Sequence, residues 1–199
     1  MLGKVTPSDQ VGLKGRVEIW AYKGIELLDY QYLENIILYQ GNAEIIRTLS
    51  TISATTTPRI INRMCIGDLG TIPADTTVPK VPVRTQTALF HEIYRKDCDS
   101  RTLTLSGATN ECKFIATFAA TDVLISAYSN PSQPRINEVG LVIIDPTAPS
   151  GLDRSAFPVT APNLPPSDEV MMSIRCFKSI PFEIANDVSV TIRYTISVE

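Results

Sequence analysis

The sequence predicts a mainly β protein, folded as an antiparallel sandwich or as barrel-like sheets, with one short α-helix and long proline-rich loops. Three observations predict this class. The last dozen residues alternate regularly between apolar and polar side chains, further short strand-like runs are separated by turn residues, and only one segment has good helical spacing.

Residues 187–198 provide the clearest single pattern in the chain. The apolar members are Val188, Val190, Ile192, Tyr194, Ile196 and Val198. The polar members between them are Ser189, Thr191, Arg193, Thr195 and Ser197. Because strand side chains alternate with a period of two, we expect a strand here with one buried and one solvent-facing side.

Other strand-like runs precede this segment, and glycine, asparagine and proline residues separate them. The predicted strands are 16–22, 26–32, 59–66, 101–105, 110–119, 135–145, 170–177 and 182–198. Within them, Cys112, Phe114, Ala116 and Phe118 should share one face, and so should Val139, Leu141 and Ile143. Residues 88–96 form a short element whose type the pattern leaves open.

The one helix is predicted over about 42–53. Asn42 is suited to cap its N-terminus, and Glu44 would lie in the first turn, where the helix dipole favours a negative charge. Ile45, Leu49 and Ile52 recur at helical spacing and should form the buried face. The run 55–58, which ends in Pro58, should stop the helix.

The chain of 199 residues is long enough for a single β-rich domain, predicted over 16–199 after a flexible N-terminal arm, 1–15. Two proline-rich stretches, 71–83 and 145–166, predict long extended loops, and loops of this length often contact partners. The predicted interface residues are prolines of these two stretches, together with two aromatic residues near the N-terminus. They are Trp20, Tyr22, Pro73, Pro79, Pro82, Pro149, Pro162 and Pro165.

The composition argues against several classes of partner. A formal charge of −3 without a lysine and arginine cluster predicts no nucleic-acid binding. Apolar runs stay well below the roughly 20 residues of a membrane span, and the first residues lack the apolar core of a signal peptide. The four cysteines form no CxxC pair, so we expect small buried hydrophobic residues in a reducing compartment and no metal site.

Catalytic patterns are equally sparse, and the sequence predicts no catalytic residue and no cofactor. His91 is the single histidine, and we interpret it as a structural residue at the end of an element. Residues 67–70 resemble a phosphate loop only superficially, and predict instead a β-turn in which the glycines allow positive φ. The acidic pairs Asp97 with Asp99 and Asp168 with Glu169 are expected to be solvated rather than to cleave glycosides.

Two weaker alternatives concern ligands. Calcium could be held by Asp68 and Asp75, although two carboxylates are few for that ion. Five aromatic residues within the first forty are typical of packing or of a subunit interface, and alternatively of a surface that stacks on sugars. They are Trp20, Tyr22, Tyr30, Tyr32 and Tyr39.

Four motifs in a fixed order resemble the structural proteins of tailed bacteriophages, in particular the particle-attached domains of tail-fibre and tail-collar proteins. They are Met64-Cys-Ile-Gly-Asp-Leu-Gly70, Thr87-Ala-Leu-Phe-His-Glu-Ile-Tyr-Arg95, Ile136-Asn-Glu-Val-Gly-Leu-Val142 and the closing alternation from Val188. The resemblance covers about residues 35–198. No fibre shaft or receptor-binding tip follows, which departs from that family's pattern.

The resemblance implies a non-enzymatic virion component, assembled in the host cytoplasm from homo-oligomers, with a trimer as the first expectation. Its partners would be other virion proteins. A tail-fibre or baseplate adaptor is the first reading, and a capsid decoration protein is the alternative. A host-glycan-binding module is a further alternative of a different class, and a glycosidase is a third.

Overall fold

A computed structural model describes residues 13–50, 59–106, 109–145 and 169–198. These residues form one helix and eleven strands. In chain order the elements are β1 (Leu13–Lys23), β2 (Glu26–Ile37), α1 (Tyr39–Ser50), β3 (Ile60–Gly67), β4 (Thr71–Ile72), β5 (Asp75–Pro79), β6 (Glu92–Asp97), β7 (Ser100–Ser106), β8 (Thr109–Ala119), β9 (Arg135–Ile144), β10 (Val170–Pro181) and β11 (Val188–Val198).

Nine of the strands form a single curled sheet in the order β6-β3-β9-β10-β2-β1-β11-β8-β7, and this sheet makes a half-barrel. All of its pairings are antiparallel. β4 and β5 form a separate two-stranded hairpin. The predicted mainly β class with one helix is therefore confirmed.

β2 connects the two walls of the half-barrel. It pairs with β1 as far as Asn35, and only Ile36 and Ile37 pair with β10. The first wall consists of β7, β8, β11, β1 and most of β2. The second wall consists of β10, β9, β3 and β6.

The main core lies between these walls. β1 and β11 contribute Ile19 and Ile192 from the first wall, and β9 contributes Leu141 from the second. A buried aliphatic side chain of this size contributes roughly 1.5–3 kcal/mol. The Tyr194 hydroxyl donates a hydrogen bond of 3.0 Å to the Val139 carbonyl oxygen, which links the walls directly.

The second wall is buried on both faces. Val139, Leu141 and Ile143 face the main core as predicted, but every residue of β9 from 136 to 144 is buried. A second apolar cluster covers the far side. It contains Leu38, Cys65, Leu89, Val142, Ile144, Met171 and Ile174.

β11 confirms the predicted alternation on its inner side, where five alternate residues are buried: Val188, Val190, Ile192, Tyr194 and Ile196. The Val198 side chain lies outside the described set. The predicted solvent-facing side is only half-buried, and Thr195 on it is buried. The predicted start at 182 is wrong, because 182–187 form a turn in which Asp187 has φ +48°.

α1 begins at Tyr39, three residues before the predicted start, so Asn42 does not cap it. The first backbone N–H groups are satisfied by tertiary contacts instead: Leu38 N–H donates to the Met172 carbonyl at 2.9 Å and Tyr39 N–H to the Arg84 carbonyl at 3.0 Å. Glu44 is therefore beyond the first turn and buried. Its carboxylate pairs with Arg47 at 3.2 Å and with Arg59 at 3.4 Å.

Of the predicted helix face, Ile45 packs against the main core, while Ile46 beside it is exposed. The Leu49 side chain and Ile52 lie outside the described residues.

The predicted long loop over 71–83 is wrong in its first part, where β4 and β5 pair. Pro79 is the last residue of β5, at the edge position that proline tolerates. The predicted arm is also shorter than expected, because β1 begins at Leu13. Residues 1–12 and 146–168 lie outside the described ranges, and with them Pro149, Pro162 and Pro165.

Candidate functional site

The densest group of polar side chains lies where the loop after β3 meets the start of β9. We call Asp68, His91, Ser129, Asn137 and Glu138 the polar cluster. Four of the five are buried, and three of the four motifs noted in the sequence meet here. Asn137 and Glu138 are completely buried.

Two glycines make this approach possible. A Cβ atom on Gly67 would lie 2.3 Å from the His91 carbonyl oxygen, and one on Gly70 would lie 2.3 Å from the Asn137 carbonyl oxygen. Neither glycine has positive φ; among the described glycines only Gly24 does. The predicted positive-φ turn is therefore wrong, and the glycines serve close backbone packing instead.

Glu138 is the centre of the cluster. Its carboxylate accepts hydrogen bonds from the backbone N–H groups of Leu69 at 3.2 Å, Phe90 at 2.7 Å and His91 at 2.8 Å. Burial raises the pKa of Glu138 to about 7, although the three N–H donors favour the ionised form. A single side chain thus fixes two separate loops through their backbones.

Asp68 joins His91 to Ser129. One carboxylate oxygen lies 2.5 Å from His91 Nδ1, and the other accepts from the Ser129 N–H at 2.6 Å and hydroxyl at 2.7 Å. The hydrogen bond to Asp68 raises the pKa of His91. In an acyl-transfer triad the serine hydroxyl bonds to the imidazole, whereas here it donates to the aspartate, so the geometry is that of a structural network.

Asn137 connects the loop to β10. Its Nδ2 lies 3.0–3.1 Å from the Asp68 carbonyl oxygen, Thr71 Oγ1 and Ser179 Oγ. Its Oδ1 accepts a 2.6 Å hydrogen bond from Gly70 N–H. The amide is therefore saturated, as buried polar groups in stable folds usually are.

A second buried network occupies the far side of the second wall. Arg95 forms ion pairs with Glu92 and Glu169, and Arg63 pairs with Glu169 and, at 2.9 Å, with Asp97. Burial lowers the pKa of Arg95, but hydrogen bonds and charges of the carboxylates outweigh it and the pKa is raised overall. The predicted solvated state of Glu169 is wrong, because its side chain is fully enclosed.

The remaining candidate ligands do not converge. Asp75 is exposed and accepts from the Thr77 N–H and hydroxyl at 2.8 and 2.6 Å, whereas Asp68 is buried and bonds to His91 and Ser129. Asp99 is paired with Lys96 at 2.7 Å. Within the described ranges no group of three histidine, cysteine, aspartate or glutamate side chains is placed to hold a metal ion.

The four cysteines are free thiols. Cys65 and Cys176 are buried as predicted, while Cys98 and Cys112 are only half-buried. Burial raises the pKa of Cys176 to about 12, which keeps this thiol protonated and unreactive near neutral pH.

The predicted interface residues within the described ranges differ in accessibility. Pro73 is exposed, Tyr22 and Pro79 are half-buried, and Pro82 is buried within the chain. Trp20 is half-buried between the Tyr30 ring, whose centroid is 5.5 Å away, and the Arg193 guanidinium at 4.8 Å. Pro82 therefore has no surface to offer a partner.

Sequence reasoning missed the most exposed apolar residues. The β1–β2 turn carries Ile25, whose side chain is fully exposed, and Leu27 and Leu28 follow on β2. Ile184 belongs to the neighbouring turn, which is linked to the hairpin by a hydrogen bond from Gly24 N–H to the Asp187 carbonyl. We call Ile25, Leu27, Leu28 and Ile184 the tip patch. The sequence feature that could have indicated this patch is Ile25, an isoleucine inside the turn between β1 and β2.

A polar cleft of about 1000 Å³ lies near the ends of β1, β2 and α1. Exposed Tyr32 and Arg84 line it, and so do the half-buried Asn35 and Asn42. The Asn35 amide and Asn42 Oδ1 are buried and have no hydrogen-bond partner among the described residues. Gly15 lies opposite Asn35 and leaves room for its side chain.

The helix of the described part, with 12 residues, is too short to cross a membrane, and no other helix there qualifies. No known protein-family model matches the chain, and no curated protein sequence matches it.

Proposed function

We propose that this chain is a non-enzymatic structural component of a bacteriophage virion, which assembles with itself and with other particle proteins. The preferred role is that of an adaptor at a tail fibre or baseplate, and the alternative role is that of a capsid decoration protein. The order of the four sequence motifs supports this proposal.

The tip patch is the observation that carries it. Ile25 is fully exposed and Leu27, Leu28 and Ile184 are each about half exposed, so four large apolar side chains offer surface near the β1–β2 turn and the turn linked to it. Contiguous exposed apolar residues mark interaction sites on soluble proteins. The polar cluster, in contrast, uses its titratable groups to fix loops, which suits a rigid scaffold.

The proposal is tested by incorporation into particles. Ile25→Asp combined with Leu27→Asp should reduce the copy number in purified particles at least tenfold, measured by quantitative mass spectrometry. The reason is that two carboxylates would have to be desolvated at the contact. Leu124→Asp is the matched control, because Leu124 is similarly exposed and lies outside the tip patch. Normal incorporation of the double variant would contradict the proposal.

The hypothesis that residues 71–83 contact a partner needs a test other than deletion of the segment. Thr71 bonds to Asn137 and Pro82 is buried, so a deletion would remove part of the fold as well as a surface. Val78→Asp on β5 changes an exposed side chain only, and it should leave the fold intact while testing whether this hairpin contacts the particle.

A second candidate function, binding of a host glycan, is favoured by the polar cleft. Exposed Tyr32 lines the cleft together with Asn35 and Asn42, whose amides have unpaired atoms. Amides both donate to and accept from sugar hydroxyls, once a side-chain rotation brings these buried atoms to the surface. Binding on a glycan array that Tyr32→Ala abolishes would establish this function. An inert array would favour assembly alone.

A further inference from the structure

The two edges of the nine-stranded sheet are built differently. β6, at one edge, is bulged where Glu92 faces Gly67 and Tyr94 faces Ile66, and three of its six residues are buried. Natural sheets protect their edges in such ways. β7, at the other edge, pairs with β8 over seven residues without a register shift, and within the described ranges it has no second strand neighbour.

β7 lacks the usual protection of a free edge. Its sequence, Ser-Arg-Thr-Leu-Thr-Leu-Ser, contains no proline and one charge. Leu103 is 65% and Leu105 71% exposed. Both nevertheless lie on the same face of the sheet as Phe114 of β8, which is buried in the core. A regular, unprotected edge strand of seven residues that exposes two leucines is a template for pairing with another strand.

The strand is also complementary to itself. In an antiparallel pair, two residues directly opposite each other point to the same face of the sheet, and both belong either to a hydrogen-bonded or to a non-hydrogen-bonded pair. When two copies of one strand pair around a two-fold axis, the axis must therefore pass through the pair that one residue forms with its own copy. Centred on Leu103, it places Leu103 opposite its own copy, Thr102 opposite Thr104 and Ser100 opposite Ser106. Cross-strand threonine pairs and apolar pairs are both favourable.

The single charge fits this register as well. Arg101 would lie opposite Leu105 of the second copy, so that no like charges face each other. The two Arg101 residues would be four positions apart along the strand, roughly 13 Å, which exceeds the screening length of about 8–10 Å. A shift by two residues in either direction would shorten the paired stretch.

We propose that β7 pairs antiparallel with β7 of a second copy, centred on Leu103, and joins two half-barrels into one continuous sheet. This contact rests on the self-association included in the proposed function, but not on the virion role. A two-fold contact uses the edge completely, so it makes dimers and not the trimer that the resemblance implies.

The oligomeric state of the purified chain tests the contact. Sedimentation equilibrium should give a dimer, and Leu103→Lys should raise its dissociation constant at least tenfold, about 1.4 kcal/mol, because two ammonium groups would face each other. Leu124→Lys is the control and should leave the dimer unchanged. A monomer at all concentrations up to about 100 µM, or a dimer or trimer that Leu103→Lys does not weaken, would overturn the proposal.

Crosslinking tests the register independently of any loss of folding. Chains with Thr102→Cys and chains with Thr104→Cys should form a disulfide-linked dimer only when mixed, because those positions would be opposite across the two-fold pair and within disulfide range. Each variant alone carries the same native cysteines and serves as the control. Equal crosslinking in the separate and mixed samples would overturn this register.

Failure of the β7 contact and failure of the virion role are distinguishable. Leu103→Lys addresses the dimer in the purified chain, whereas the tip-patch variant addresses incorporation into particles. A stable dimer that never enters particles would support the β7 contact and contradict the virion role. A chain that enters particles but forms no dimer would contradict the β7 contact and support the virion role.

Discussion

Among single residues, Glu138 determines most about the polar cluster. It accepts three backbone hydrogen bonds from two loops that are 47 to 69 positions away in sequence. Because Gly67 and Gly70 have no side chains, the loops can approach the carboxylate closely. The two glycines and the acid therefore form one unit, in which a larger residue at either glycine would displace backbone.

The raised pKa of Glu138 makes a prediction about stability. Between its ordinary pKa of 4.5 and its folded pKa of about 7, the folded state holds the proton more tightly than the unfolded state. Stability from this group therefore falls as the pH rises through that window and is constant above it, by roughly 3 kcal/mol in total. Glu138→Gln has no proton to lose and removes this dependence.

Urea denaturation at pH 5 and pH 8 measures the effect. The free energy of unfolding of the native chain, minus that of Glu138→Gln, should be lower at pH 8 than at pH 5. His91 is present in both proteins, so the part of its contribution that comes from the hydrogen bond to Asp68, which is lost as the pH rises above about 6.5, is common to both. The part that comes from the Glu138 charge is absent from Glu138→Gln and belongs to the measured difference. Glu26→Gln, on an exposed side chain, should show no such difference; a pH-independent result for Glu138→Gln would contradict the prediction.

The sequence indicated several residues of this site, but not their arrangement. The 67–70 loop, His91 and Asn137-Glu138 all belong to motifs noted from the sequence, and the position of His91 at the end of an element was anticipated. Their contacts join segments far apart in the chain, which local spacing cannot reveal. Glu138 looked exposed because a charged residue at the start of a strand is ordinarily solvated.

Among secondary-structure elements, β6 shows how a bulge changes which residues meet. Glu92 and Arg95 are three apart, a spacing that in a regular strand points to opposite faces. The extra residue Ile93 in the pairing with β3 restores a common face, and the two side chains form an ion pair. The same bulge orients Arg95 toward Glu169.

Removing Arg95 should therefore be costly. Arg95→Met keeps most of the side-chain volume but leaves the buried carboxylates of Glu92 and Glu169 with less compensation, for a loss of about 3–5 kcal/mol in stability. Thermal or urea unfolding measures this loss. Arg193→Met, which breaks an accessible pair with Glu18, should cost at most about 1 kcal/mol. Equal losses for both variants would contradict the assignment.

Element boundaries were harder to predict than element types. α1 begins early because the Met172 and Arg84 carbonyls accept its first N–H groups, and no sequence signal marks acceptors from distant strands. β11 begins late because Asp187 adopts positive φ in a turn. Both errors arise from tertiary contacts and backbone conformations that a periodic pattern of side chains does not contain.

In the molecule as a whole, the two walls share one core. Val17, Ile19 and Ile192 of the first wall belong to the same apolar cluster as Met64 and Leu141 of the second. Neither wall alone could exclude water from its apolar inner face. The polar cluster sits on the second wall and the tip patch at the β1–β2 turn, so a rigid shared core is what holds these surfaces in a fixed relation.

The shared core predicts that both walls unfold in a single transition. Trp20, the only tryptophan, reports on the first wall by its fluorescence, and amide hydrogen exchange in β3 and β9 reports on the second. The two probes should give the same free energy of unfolding, and Tyr194→Phe, which removes the hydroxyl that bonds to Val139, should lower both by about 1 kcal/mol. Tyr32→Phe, on an exposed ring, should lower neither. If Tyr194→Phe destabilised only one wall, the walls would be separate folding units and the rigid-scaffold interpretation would fail.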